Sequence, residues 1–173
     1  CRWAPGGREP ARYRVYIQGF FQAVTYRAYT IIKINSSDHQ MEKLTSALLI
    51  DDDQTTNFVN RKLLKDSGRL EEVLVAQNGH EGIRILQEQC HAGRCPNLIL
   101  LDVNMPVMSG FDFLEAYDQL DIEKGATKII MLTTSMHPRD LDRLGDLPTH
   151  GLLNKPLTRD KLKALLEEHF NIY

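Results

Sequence analysis

From residue 45 onward, short apolar runs alternate with longer stretches in which apolar residues recur at helical spacing. Ala47-Leu48-Leu49-Ile50 is apolar at every position, as a strand covered on both faces is. Thr55 or Thr56 then caps a helix that turns Phe58, Val59, Leu63 and Leu64 inward and stops near Gly68. Val73-Leu74-Val75-Ala76 predicts a second strand. Asn78-Gly79 opens a second helix with Ile83, Leu86 and Cys90 on one face. The run Asn97 to Leu101 predicts a third strand, whose apolar purity places it at the centre of a sheet. A loop with Pro106 and Gly110 leads to a helix carrying Phe113, Leu114, Tyr117 and Leu120. Ile129-Ile130-Met131-Leu132 predicts a fourth strand, and a helix follows from near Pro138. Gly151-Leu152-Leu153 predicts a short fifth strand. The last helix presents Leu162, Leu165, Leu166 and Phe170. Five β–α units in series imply an α/β fold, a doubly wound five-stranded parallel sheet with helices on both faces.

Composition bounds this picture without changing it. At 173 residues the chain is one domain with room for an appendage. Its 42% hydrophobic and 25% charged residues are those of a globular protein with a packed core. The formal net charge of −2 gives no support for a nucleic-acid partner. No uninterrupted apolar run reaches the roughly 18 residues of a membrane span. Cys1, Cys90 and Cys95 are too few for a disulfide scaffold or a four-ligand zinc site.

Charge does divide the chain. Residues 1–40 hold six basic and two acidic residues, a balance of +4, which leaves 15 basic and 21 acidic residues, −6, in 41–173. The first part shows no clear period and no signal-peptide pattern. It reads as an N-terminal extension, non-native or poorly ordered, with Met41 as the natural start and 41–173 as the functional domain. A membrane-surface or partner-binding arm would need a sustained amphipathic period that is missing here.

The acidic residues fall at informative places. In open α/β sheets, sites form at the carboxyl ends of strands near the switch in strand order. Asp51, Asp52 and Asp53 follow the first strand, Asp102 ends the third, Thr133 and Thr134 end the fourth, and Lys155 follows the fifth. If the first and third strands are neighbours, Asp51, Asp52 and Asp102 converge on one crevice. Carboxylates so placed repel one another and call for a cation, for which a hard, oxygen-liganded ion such as Mg²⁺ is suited. A lysine and a threonine at the same rim suit a phosphoryl group. The chemistry implied is carboxylate attack on phosphorus.

Four strings carry a resemblance: Leu49-Ile50-Asp51-Asp52-Asp53, Leu100-Leu101-Asp102-Val103-Asn104-Met105-Pro106-Val107-Met108-Ser109-Gly110, Met131-Leu132-Thr133-Thr134-Ser135 and Asn154-Lys155-Pro156. In this order, at strand ends, they resemble the receiver domain of two-component response regulators over about residues 45–170. The resemblance implies the flavodoxin-like strand order 2-1-3-4-5. It makes Asp102 the phosphoacceptor. Asp52 would be a direct Mg²⁺ ligand, Asp51 a ligand through water, and the carbonyl of Asn104 a third contact. Thr133 would hydrogen-bond the phosphoryl group, and Lys155, before a cis proline, would pair with it. Asn104 and Ser135 stand where the family modulates phosphate lifetime. Leu152 stands where the family often has an aromatic switch residue, a departure from the family's pattern.

The function so implied is that of a stand-alone, cytoplasmic response regulator. It takes a phosphoryl group from a sensor histidine kinase or a histidine phosphotransfer protein and switches the binding of a downstream protein. It has no enzymatic activity beyond its own Mg²⁺-dependent phosphorylation and dephosphorylation. No nucleic-acid or membrane partner is implied, and a phosphorylation-dependent dimer is allowed. The rival is a haloacid-dehalogenase-type phosphatase, which Asp51-Asp52-Asp53-Gln54-Thr55 also fits, with Asp51 as nucleophile. It leaves Asp102 and the Met105-to-Gly110 loop unexplained. A receiver degenerated into a docking module would lack an acid, Thr or Lys, and none is missing. Singly, the site residues have plainer readings: Asp51 and Asp52 as loop caps, Thr133 as a strand-end hydroxyl, Lys155 as a solvated side chain. Asp53 reads as an exposed helix start, Thr134 as a loop residue. Cys90, His91 and Cys95 read as a helix-end loop, and His137 and His150 as surface residues near the rim.

Overall fold

The computed structural model describes residues 14–16, 30–32, 44–134 and 147–172. Strands β1 (Arg14–Tyr16), β2 (Thr30–Ile32), β3 (Ser46–Ile50), β4 (Glu72–Ala76), β5 (Leu98–Asp102), β6 (Lys128–Thr133) and β7 (Gly151–Asn154) form one sheet in the order β1-β2-β7-β6-β5-β3-β4. The five from β3 onward are parallel, and β5 lies in their middle between β3 and β6. In chain order they run 2-1-3-4-5, as expected, with the first and third predicted strands paired from Ala47↔Leu98 to Ile50↔Leu101.

The sheet exceeds the expected five strands by two. β1 and β2 pair antiparallel with each other, and β2 adds to β7 through Ile31↔Leu152 and Ile32↔Gly151. An edge strand presents unpaired N–H and C=O groups to any extended segment within reach, and that backbone chemistry leaves no hydrophobic period in a sequence. The rest of residues 1–40 lies outside the described residues, as do the helix predicted near Pro138, Ser135 and His137.

Four described helices cover the two faces: α1 (Gln54–Asp66), α2 (Gly79–His91), α3 (Gly110–Asp118) and α4 (Arg159–Phe170). Alternate strand residues point to opposite faces. Leu48, Ile50, Ile99, Leu101 and Met131 pack with Leu86 of α2 and Phe113, Leu114 and Tyr117 of α3. Ala47, Leu49, Leu98, Leu100 and Ile130 pack with Leu64 of α1 and Leu165, Leu166 and Phe170 of α4. This two-sided burial is why the strands are apolar throughout. Phe113 and Phe170 are fully buried, each contributing about 1.5–3 kcal/mol relative to exposure.

One expected face is wrong. Phe58 and Val59 do not turn inward: they are 69% and 51% exposed, and the buried residues of α1 are Asn57, Asn60 and Leu64. The cap explains the phase. Asp53, rather than Thr55 or Thr56, is the N-cap and accepts from the N–H groups of both threonines. Rotation is then fixed by Leu64 and by Asn57, whose side chain donates to the carbonyl of Asp51 at 2.7 Å. α3 ends at Asp118, so Leu120 packs on the core from the following loop.

Candidate functional site

The carboxyl ends of β3, β5, β6 and β7 converge on one pocket. Strand register sets Asp102 against Leu132 and Thr133 against Asn154, so the residues that end neighbouring strands meet at one rim. Two main-chain bonds extend the pairing. The N–H of Val103 donates to the carbonyl of Leu132 (3.0 Å), and the N–H of Lys155 to that of Thr133 (2.7 Å).

Carboxylate oxygens of Asp51, Asp52 and Asp102 lie within 4.8 Å of one another, and they are the one such acid, His or Cys group among the described residues. Asp51 and Asp102 are buried and Asp52 is exposed. Asp51 is held at both oxygens: Oδ1 accepts from the N–H of Asp53 (2.9 Å) and Oδ2 from Lys155 Nζ (2.7 Å). Lys155 Nζ also lies 3.0 Å from Asp102 Oδ1. A single ammonium thus bridges two buried carboxylates.

Burial drives the Asp102 carboxyl above the usual carboxylate range. The hydrogen bond and charge of Lys155 oppose that rise, the charge of Asp51 adds to it, and the N–H of Asn104 opposes it. Burial would lower the Lys155 ammonium, but its hydrogen bonds to Asp51 and Asp102 outweigh this and hold it above its ordinary value. The pocket therefore carries more negative than positive charge and is short of a cation. Hard oxygen donors in a compact set fit Mg²⁺.

The loop after β5 is shaped by close approach. The N–H of Gly110 donates to the carbonyl of Val103 (2.9 Å), and a Cβ on Gly110 would lie 2.5 Å from the carbonyl oxygen of Asp102. Val107 sits at φ 71°, in the left-handed region that β-branched residues rarely enter, and is 89% exposed. Asn104 is exposed at the start of this loop. Met108 folds back onto Gly79, where a Cβ would be 2.5 Å from its sulfur.

Each acid, the threonine and the lysine singled out from the sequence thus come to one pocket. Thr133 is buried there, Thr134 is exposed, and the Lys155–Pro156 bond is cis. Leu152 is buried in the core beside Met131. His150 is not near the rim. It precedes β7, and its Nδ1 accepts from the N–H of Ile129 at the opposite end of the sheet (3.2 Å). Sequence reasoning missed Asn57, whose position under Asp51 has no motif, and the fit of Gly110 against Asp102, for which the glycine was the only signal. It also missed that Cys90 and Cys95 are joined in a disulfide.

The family model of the response regulator receiver domain matches residues 47–167. The probable chemotaxis protein CheY of Rhizobium etli is 33% identical over 71% of this chain and 90% of its own length. The hybrid signal transduction histidine kinase B of Dictyostelium discoideum is 32% identical over 75% of this chain, which spans 7% of that protein. A crystal structure of a two component response regulator from Cytophaga hutchinsonii superposes with a TM-score of 0.68 at 32% identity, covering 76% of this chain and all of that one. No helix among the described residues is long and apolar enough to cross a membrane. The match over residues 47–167, with relatives at 30% identity or more, places this chain in the response regulator receiver family.

Proposed function

We propose that the protein is a phosphoryl-accepting switch with Asp102 as acceptor. The observation that carries this reading is the pairing of a buried Asp102 carboxylate with Lys155 beside Asp51 and Asp52. A carboxylate oxygen of Asp102 attacks the phosphorus of a phosphohistidine on a sensor kinase or phosphotransfer protein. The P–N bond breaks, the O–P bond forms, and the leaving imidazole takes up a proton. Asp51, Asp52, Asp102 and the carbonyl of Asn104 would hold Mg²⁺, which when bound supplies positive charge against the phosphoryl oxygens.

Lys155 pairs with the new phosphate and gives up its contact with Asp102. The Thr133 hydroxyl, at the adjacent strand end, donates to a phosphoryl oxygen. Movement of these two side chains draws on β6 and β7, and so biases a two-state surface offered to a downstream protein or a second copy. Leu152 supplies no aromatic ring to that change. The receiver unit is residues 41–173, and residues 1–40 lie outside its chemistry.

Acetyl phosphate with Mg²⁺ should label the chain, and Asp102→Asn should abolish the label. Label that persists in that variant would overturn the assignment, and label mapped to Asp51 would favour the phosphatase reading. Removal of residues 1–40 should leave labelling intact.

A further inference from the structure

The disulfide between Cys90 and Cys95 lies at the end of the domain away from the acid pocket, where α2 turns into β5. α2 closes there with paired capping bonds. The N–H of Gly93 donates to the carbonyl of Cys90 (2.9 Å), and the N–H of Arg94 to that of Gln89 (2.9 Å). Gly93 takes φ 73° as this turn requires. The turn returns the chain so that Cys95 comes back beside Cys90, with Cα atoms 4.2 Å apart. The segment after Cys95 is anchored independently. Asn97 Oδ1 accepts from the N–H and hydroxyl of Thr45, and the Thr127 hydroxyl donates to the carbonyl of Pro96.

Hydrogen bonds that need no sulfur chemistry therefore hold the two cysteines together. The loop between them is short, so the bond constrains the unfolded chain little and is a weak staple. Both cysteines are half-buried, within reach of a small reagent. We infer that Cys90 and Cys95 form a reversible thiol–disulfide clasp, closed by a small-molecule disulfide and opened by the matching thiol. One cysteine thiolate attacks the reagent's S–S bond and releases one thiol. The other cysteine thiolate then attacks the mixed disulfide and releases the second. The two protons of Cys90 and Cys95 leave on the two reagent thiols. Two electrons pass from the cysteine pair to the reagent, which is reduced.

The test equilibrates the full chain, with Cys1→Ser to remove the third thiol, in mixtures of reduced and oxidised glutathione. Free thiols are then alkylated, and tryptic peptides 85–94 and 95–124 are weighed. The two peptides should be joined in oxidising mixtures and separate in reducing ones, and the change should reverse. A Cβ at Gly93 would meet nothing within 4 Å, so Gly93→Ala disturbs only the backbone torsion. It should move the half-oxidation ratio toward the dithiol by about tenfold, whereas Gly93→Asn, which tolerates this torsion, should stay near wild type. Three results would each overturn the clasp: no joined peptide at any ratio, a bond that excess reduced glutathione leaves intact, or the same midpoint in all three chains.

Discussion

Lys155 Nζ stands 3.0 Å from Asp102 Oδ1 while also holding Asp51 at 2.7 Å, so one cation serves two buried carboxylates. The burial that lifts the Asp102 carboxyl wins over the attraction of Lys155. The fold therefore makes the charged form of Asp102 costly, and that imbalance leads to the first two predictions.

Because the folded-state value for Asp102 lies above its ordinary 3.8, the native state binds the proton more tightly than the unfolded chain does. Stability linked to this group is then greatest at low pH and falls as pH rises from 3.8 through the higher folded value. Asp102→Asn, which is neutral throughout, should be more stable than wild type at pH 7 by about 1 kcal/mol, roughly 2–4 °C in Tm. Urea unfolding at acid and neutral pH would measure both arms. The gap should shrink in acid, and a gap that widens there would contradict the sign.

Lys155→Met removes the shared cation and leaves Asp51 and Asp102 uncompensated. In chelator it should be destabilised by about 3 kcal/mol. Added Mg²⁺ should then raise the Tm of the variant more than that of wild type, because the ion replaces the missing charge. Differential scanning calorimetry with and without Mg²⁺ checks this, and equal Mg²⁺ responses would refute it.

Val107 holds a left-handed backbone with its side chain almost fully exposed, so its packing compensates nothing. Val107→Asn should stabilise by about 1 kcal/mol, since asparagine enters this region at lower cost. A loss of stability on equilibrium unfolding would show that the side chain has a role its exposure conceals.

Gly110→Ala puts a Cβ against the carbonyl of Asp102, with Met131 and Val103 also in contact. Backbone must move, so stability should fall by about 1–3 kcal/mol. Acetyl phosphate labelling should slow in parallel as Asp102 shifts. Gly125→Ala, where a Cβ meets nothing, is the control and should change stability by less than about 0.5 kcal/mol.

Phe58→Ser tests the corrected face of α1. A core phenylalanine would cost about 3–5 kcal/mol on truncation. At 69% exposure the change should stay within about 0.5 kcal/mol of wild type, as chemical denaturation would show.

The runs at Ala47–Ile50, Leu98–Leu101 and Ile129–Leu132 made the sheet legible, because a strand covered on both faces must be apolar throughout. The acids, threonine and lysine that follow those runs made the pocket legible too, since parallel strands in a doubly wound sheet bring their carboxyl ends to one edge. Local chemistry of that kind is written residue by residue.

What lay beyond it depended on which backbone and side-chain groups the folded chain brings into contact. Asn57 is buried because Asp51 offers it a carbonyl, and Phe58 is exposed as a result; a hydrophobicity pattern ranks them the other way. The addition of β2 to β7 is a bond between backbones, blind to side chains. The union of Cys90 with Cys95 follows from a turn whose hydrogen bonds bring the chain back on itself. Sequence by itself determined the order of the five parallel strands and the four described helices between and after them and the identity of the reactive groups, because periodicity and residue type are local properties. Tertiary structure alone decided the addition of β2 to β7 and how one lysine is shared between two acids, because each depends on a distance no single segment contains; the buried face of α1 and the Cys90–Cys95 bond rest on hydrogen-bonded turns that periodicity does not reveal.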